Sequence, residues 1–325
     1  MTERSFSQAE AFANIALIKY WGKQERPGNY PAVPSLSLTL SGLRTTTTVT
    51  LDDELTEDVV TLDSVPAVGR PRERIVKMLD TFRERTRRNT FARVESQNEF
   101  PTAAGLASSS SGFAALACAA NASFSAGLSV DEQSSLARAA SASAARSLYG
   151  GFVTLEAGAE SAMPLAPAGF WDLVLLVAVT ATGKKAIGST EAMNLTRSTS
   201  PYYPTWVDYA PRLFERAKQA VLARDLEVLG AAMEQSTLMM HATMHTASPA
   251  ILYQTPATIA VMKEIHALRA RGTLAFFTMD AGPHVKVLCA SSDAVQVRAC
   301  LRQIDGVRDV LRATPGNPAH IVAQR

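Results

Sequence analysis

The segment of this chain with the clearest chemical potential is Pro101 to Gly112, PTAAGLASSSSG, where glycine and small residues precede a predicted helix whose first turn is packed with hydroxyls. A helix N-terminus presents free backbone N–H groups and the positive end of the dipole, so it favours anions, and glycine lets the backbone approach them closely. Ser108 to Ser111 add oxygen ligands for phosphate or a magnesium ion. No G-K-[ST] follows, so this is not a Walker loop. Composition alone leaves a second reading open, because small residues also permit tight helix packing and serines also cap helices. A second glycine-bearing segment, MDAGPHVKVLC, weighs toward phosphate chemistry. It places Asp280 after an apolar strand and before a turn, where an acid can orient or deprotonate a hydroxyl.

Two cationic segments complete the set. IKYWGK groups Lys19, Tyr20 and Lys23 at the end of a strand, and lysines near phosphates act as point-charge ligands. In SASAARSLYGG, Ser141, Ser143 and Arg146 fall at i, i+2 and i+5 near a helix end, an arrangement suited to gripping an anionic group. Taken singly, each is equally compatible with surface decoration.

Positioning these residues requires two lobes, which 325 residues can supply. Residues 11–20 and 43–51 read as strands separated by a Gly/Pro-rich loop from Gly22 to Pro34. Residues 107–124 read as a buried helix, and Ser129 with Glu132 forms a capping-box start for another running to about Arg146. GFVTLE and DLVLLVAVT then read as strands closing the first lobe, with a boundary near 180–190, giving domains 1–185 and 186–325. Beyond it, helical patterns at about 205–240 and 255–270 alternate with LAFFTM and VKVLCA, and HIVAQ supplies a last strand. The second lobe reads as α+β, without internal repeats.

Composition narrows the classes. Apolar residues make up 47% and charged residues 19%, with 18 Gly and 16 Pro, so neither disorder nor a fibrous repeat is indicated. A net charge of +2 argues against a general nucleic-acid binder. The one dense basic run, Arg83 to Arg88, follows an amphipathic pattern in which Ile75, Met78, Leu79 and Phe82 share a face, and reads as a solvated helix end. Three cysteines, none in C-x-x-C, fit a reducing compartment. No signal core opens the sequence and no run is long enough to cross a membrane, so the expected location is cytoplasmic.

Together the four segments resemble the diphosphomevalonate decarboxylases, a branch of the superfamily of galactokinase, homoserine kinase, mevalonate kinase and phosphomevalonate kinase. The likeness runs through ANIALIKYWGK, NEFPTAAGLASSSSG, RSLYGGFV, STEAMNLTRSTSPYY, MHAT and FTMDAGPHVKVLC. It implies a two-lobed α+β fold, the first lobe like domain 2 of ribosomal protein S5 and the second ferredoxin-like, with ATP and substrate in the cleft between them. By that resemblance Asp280 is the catalytic acid beside the substrate's tertiary hydroxyl and Lys19 completes the reacting centre. Tyr20, Lys23, Arg74, Ser141, Ser143 and Arg146 would hold the substrate's carboxylate and diphosphate, with Asn14 in support. Ser108 and Ser109 would hold the ATP phosphates and Ser96 would touch the nucleotide. ATP and magnesium are the implied cofactors and a homodimer the implied assembly; no residue is assigned as a metal ligand.

The sequence departs from the family at Val33, where an asparagine is expected, and at Ala140 and Ala142, where glycines are expected around the substrate serines. These departures make a monophosphate-specific decarboxylase the nearest alternative; a kinase of the same superfamily that stops after phosphoryl transfer and a non-catalytic binding protein are the others. Arg74 is preferred over its neighbour Arg72 as the cleft arginine. His241 and His245 lie four apart, as metal ligands do, but lack the glutamate of H-E-x-x-H and sit among methionines, which favours a packed helix. The three tryptophans, Trp21, Trp171 and Trp206, read as packing residues.

Overall fold

A computed structural model describes residues 5–99, 108–181 and 187–325, with the Ser108 side chain also excepted. The phosphate-loop residues 101–107 lie outside the described set.

Two long antiparallel strands, β1 (Phe6–Ile18) and β2 (Ser35–Asp52), form the spine. β1 alternates half-buried and buried residues to Ala13 and is then buried on both faces; β2 mirrors it, wholly buried from Ser35 to Leu40 and alternating afterwards. Period-two alternation belongs to a sheet with one covered face, and its loss marks where a second layer arrives. That layer comes from the second lobe: α5 (Tyr203–Ala223) and α6 (Leu226–His245) contribute Leu213, Phe214, Leu229 and Met233 to a core shared with Ile15, Leu17, Leu36 and Leu38.

The first sheet runs β12-β1-β2-β5-β3-β4, with β5 (Phe91–Asn98), β3 (Val59–Leu62), β4 (Val65–Pro66) and β12 (His320–Gln324); β6 (Phe152–Leu155) pairs with β2 and β7 (Met163–Ala166). Its other face packs on α1 (Arg70–Thr86), α2 (Ser108–Ser123) and α3 (Val130–Ala140). The Ser129–Glu132 capping box is present. α3 stops at Ala140, however, rather than at Arg146, because Ser141 is extended; a 3₁₀ segment, Ala142–Leu148, follows and turns Ser143 and Arg146 toward β1.

The second sheet runs β11-β8-β10-β9, with β8 (Leu173–Val179), β9 (Ala275–Met279), β10 (Val285–Ala290) and β11 (Asp309–Ala313), all antiparallel. α4 (Ser189–Thr199) to α7 (Pro256–Ala270) connect β8 to β9, and α8 (Ala294–Arg302) connects β10 to β11. In chain order that spatial sequence is 4-1-3-2, the βαββαβ ferredoxin-like arrangement. β8 thus belongs to the second sheet, not to the end of the first lobe as its sequence position suggested, and β12 returns to the first sheet beside β1. The division between the two sheets falls in the connection between β7 and β8.

The basic run at the end of α1 is also not wholly solvated. Arg83 is buried, bonding Asp58, Asp80 and the Thr90 carbonyl, because it must neutralise the buried Asp58 carboxylate.

Candidate active site

The two lobes enclose a cavity of about 770 Å³. β1 delivers Asn14 into it and Lys19 follows the strand's end; β9 delivers Asp280 from the opposite lobe. The Lys19 ammonium donates to the Asp280 carboxylate at 2.8 Å and to the Ala16 carbonyl at 2.7 Å, while the Lys19 N–H donates to Ser236 Oγ at 2.9 Å. These ties fix both ends of a lysine whose side chain is 2% exposed.

Asp280 has a second cation. Lys286 of β10, also 2% exposed, lies 2.9 Å from its other carboxylate oxygen, while the Asp280 side chain itself is 30% exposed and lines the cavity. Burial alone would raise the Asp280 pKa, but the two ammonium groups overcome it and hold the acid well below the usual carboxylate range. Burial, with Lys286 and Arg146 adding repulsion against the pull of Asp280, pushes Lys19 down to about 8.

The residues expected on the substrate side gather on the first lobe. Arg146 is buried, donating to Asn14 Oδ1 at 3.3 Å and Ser35 Oγ at 2.8 Å, and its burial lowers it to about 10 against the attraction of Tyr20 and Asp280. Asn14 in turn donates to the Ser143 carbonyl and to Ser147 Oγ, each at 2.8 Å, so it orients the 3₁₀ segment. Tyr20 turns a buried hydroxyl into this region without a partner among the described residues, and burial raises its phenol above the ordinary value. Gly22, at φ +107°, allows the chain to turn after Trp21 where a Cβ would collide with the Tyr203 hydroxyl.

Lys23 donates to Asn29 Oδ1 at 2.8 Å and Thr190 Oγ1 at 3.1 Å; burial, with Arg70 and Arg74 nearby, lowers it to about 8. Arg74 stacks on Phe113 and donates to the Ala140 carbonyl inside the cavity wall, whereas Arg72 points elsewhere, to Glu57 and the Asp58 carbonyl. Ser109 and Ser141 face each other at 3.4 Å, and Ser141 lies 3.5 Å from Ser143, so the start of α2 meets the 3₁₀ segment at the cavity edge. The Ser108 side chain lies outside the described residues. Ser96 bonds Thr47 at 2.8 Å and is not among the cavity-lining residues.

Among the described residues no cluster of His, Cys, Asp and Glu is suited to a metal. His241 is buried and accepts at Nδ1 from Gln254, which also bridges to His245; burial, then Lys19 and His245, lowers it to about 3 and keeps it neutral. Sequence reasoning missed Lys286, Arg70 and Lys77. The last two were legible as the i−4 and i+3 neighbours of Arg74 on α1; Lys286 was legible as one lysine within VKVLCA, otherwise an apolar strand.

Comparison with known proteins names the arrangement. The diphosphomevalonate decarboxylase-like N-terminal domain matches residues 11–166, and the mevalonate 5-diphosphate decarboxylase C-terminal domain matches residues 175–317. The chain belongs to the diphosphomevalonate decarboxylase family. Among relatives of that family, the diphosphomevalonate decarboxylase of Debaryomyces hansenii is 33% identical over 304 residues, 86% of this chain and 78% of the relative. That of Candida albicans is 30% identical across 96% of this chain and 90% of the relative. The crystal structure of mevalonate diphosphate decarboxylase from Staphylococcus aureus is 37% identical and superposes with a TM-score of 0.93, covering 98% of both chains. A solved complex of MDDEF with MVAPP, AMPPCP and magnesium is 36% identical, with a TM-score of 0.90 over 98% of this chain and 99% of that one. Of the decarboxylase family's two domain matches, the first ends with β7 and the second begins within β8, on either side of the connection where the sheets divide.

Proposed function

We propose that this enzyme converts 5-diphosphomevalonate and ATP to isopentenyl diphosphate, ADP, phosphate and carbon dioxide, and that the cluster Lys19–Asp280 with the Arg146 region carries the reaction. One observation supports this reading above the others: an acid from one lobe and a lysine from the other are joined at 2.8 Å on the wall of a cavity that also holds the serine-bearing start of α2.

Asp280 accepts a hydrogen bond from the substrate's tertiary hydroxyl and orients its oxygen toward the terminal phosphoryl group of ATP. The flanking ammoniums make this carboxylate a weak base, so it takes the hydroxyl proton only as the O–P bond forms and proton acidity rises. Lys19, with two of its three N–H donors spent on Ala16 and Asp280, offers the third to the phosphoryl oxygens. The phosphorylated oxygen then leaves with its C–O bonding pair, the tertiary carbon becomes electron-deficient, and the C–C pair released by carbon dioxide forms the double bond. Arg146, Ser141, Ser143, Tyr20, Lys23 and Arg74 bind the carboxylate and diphosphate, with Asn14 holding the 3₁₀ segment in place. Those cations strengthen as water leaves the cleft.

Ser108 and Ser109 bind the nucleotide phosphates, and Ser96, which does not line the cavity, is a nucleotide contact only as the resemblance implies. The first turn of α2 carries no acidic residue, so this donor set suits magnesium held by phosphate oxygens, water and a serine hydroxyl. When bound, magnesium neutralises charge on the transferring phosphates. The first functional domain runs from residue 1 to the end of β7 with β12 returned to it, and the second from β8 to β11.

The three cysteines are unpaired, which supports a reducing, cytoplasmic setting, and none of the described helices is long and apolar enough to cross a membrane. A homodimer is the assembly we expect, to be checked by light scattering. A coupled assay with mevalonate, its 5-phosphate and its 5-diphosphate tests the function: turnover confined to the diphosphate is expected. Preference for the monophosphate would favour the reading suggested by Val33, Ala140 and Ala142.

A further inference from the structure

Lys286 is the strongest unexplained group in the molecule. It is the second residue of β10, where Val285, Val287, Leu288 and Cys289 are all fully buried, and it is itself 2% exposed. Burying an ammonium costs several kcal/mol in effective desolvation, and a methionine would fill the same space without that cost. In register it stands opposite Thr278 on β9 and Val177 on β8, on the sheet face turned toward the first lobe. Its Nζ reaches Asp280 Oδ2 at 2.9 Å, while Lys19 holds Oδ1 at 2.8 Å. Lys19 and Asp280 line the cavity; Lys286 does not.

We propose that Lys286 is a positioning residue for the reaction, locking the carboxylate plane of Asp280 from behind and supplying the charge that leaves Lys19 free to meet the transferring phosphoryl group. This rests on the reading of Asp280 as the acid beside the reacting hydroxyl. With Lys286 in place, one carboxylate faces two ammoniums, and the excess positive charge is carried by the lysine on the cavity wall. Without it, Lys19 and Asp280 neutralise each other as a closed pair, and Asp280 is free to rotate away from the hydroxyl. The other charged or titratable groups facing this centre are Arg146 from the 3₁₀ segment and His241 from α6, the latter held neutral. Neither contacts the Asp280 carboxylate through a hydrogen bond among the described residues. Lys286 also depresses the Lys19 pKa, so its removal raises that pKa.

The test uses Lys286→Met, Lys286→Gln and Lys286→Arg, with Asp280→Asn as reference, followed by circular dichroism, ATP affinity and kcat against pH at saturating substrates. The expected result for Met is a fall in kcat of about tenfold or more, ATP affinity within about threefold of wild type, and an alkaline limb displaced upward by about half a unit or more. Lys286→Arg restores the limb. If the Met variant does not fold, the Gln variant reads the same displacement, since it can donate to Oδ2 but carries no charge. A fall in kcat with the limb unmoved in both neutral variants, or an unchanged kcat, overturns the proposal and leaves Lys286 a structural residue. An active Asp280→Asn enzyme would instead overturn the reading on which it stands.

Discussion

Two carboxylates of the second lobe, one buried and one partly exposed on the cavity wall, show what separates a structural ion pair from the one proposed to react. Glu234 on α6 meets Arg269 on α7 in a bidentate pair at 2.7 and 2.9 Å, and Glu234 Oε1 also accepts the Phe277 N–H at 3.0 Å. Arg269 spends another donor on the Ala275 carbonyl at 2.6 Å. One carboxylate meets one guanidinium, with only the exposed His266 imidazole besides, 3.8 Å from Oε2, and β9 is pinned to two helices. Asp280, just beyond the same strand, meets two ammoniums, neither bidentate, on the wall of a cavity. A balanced pair with its donors satisfied holds a fold together; an unbalanced one with a donor to spare on the cavity side is arranged for an incoming anion.

The contrast can be broken most directly at Asp280. Asp280→Asn should lower kcat by about 10³-fold, within the range of general acid–base and electrostatic contributions, while ATP affinity measured by calorimetry changes less than about threefold. The matching change in the other pair, Glu234→Gln, should do the opposite: chemical denaturation should show a loss of about 3 kcal/mol, with kinetic constants of the folded protein within about twofold of wild type. A large loss of kcat there would erase the distinction. Arg146→Ala sharpens the substrate side, with kcat/KM expected to fall by about 10²-fold in steady-state kinetics. The smallest effect is that of pH. Lys19 and Lys23 must be protonated to bind anions, and both are lowered to about 8 from the ordinary lysine value, so activity is complete below that pH and declines as pH rises through it. kcat at saturation reports Lys19, while kcat/KM for the diphosphate reports both; a flat profile to pH 10 would exclude either lysine from anion binding.

Much of this was legible in sequence because turns and strand ends announce themselves. Gly22, the Ser129–Glu132 box and the acid after AFFTM each punctuate an element, and the first and last of these points lie beside cavity-lining side chains. What composition could not reveal was which sheet an all-apolar strand joins: LVLLVAV pairs with β10 and β11 through ladders formed more than a hundred residues away in sequence. The continuation of α3 to Arg146 looked plausible because alanine-rich sequence favours helix, yet Ser141 leaves the helix and the segment becomes 3₁₀. Arg83 looked solvated because its partner, Asp58, lies in the loop before β3, distant in sequence. Lys286 was hidden too, since a lone lysine in a strand declares nothing until its acid is located.

The account rests on phosphoryl transfer and carbon–carbon cleavage occurring in succession at the Asp280 centre. Its most direct test is a single-turnover measurement with carboxyl-labelled 5-diphosphomevalonate, counting carbon dioxide against ADP. The account predicts one carbon dioxide per ADP from the wild-type enzyme, and both products about 10³-fold more slowly from Asp280→Asn with ATP bound; ADP formed without carbon dioxide would contradict it.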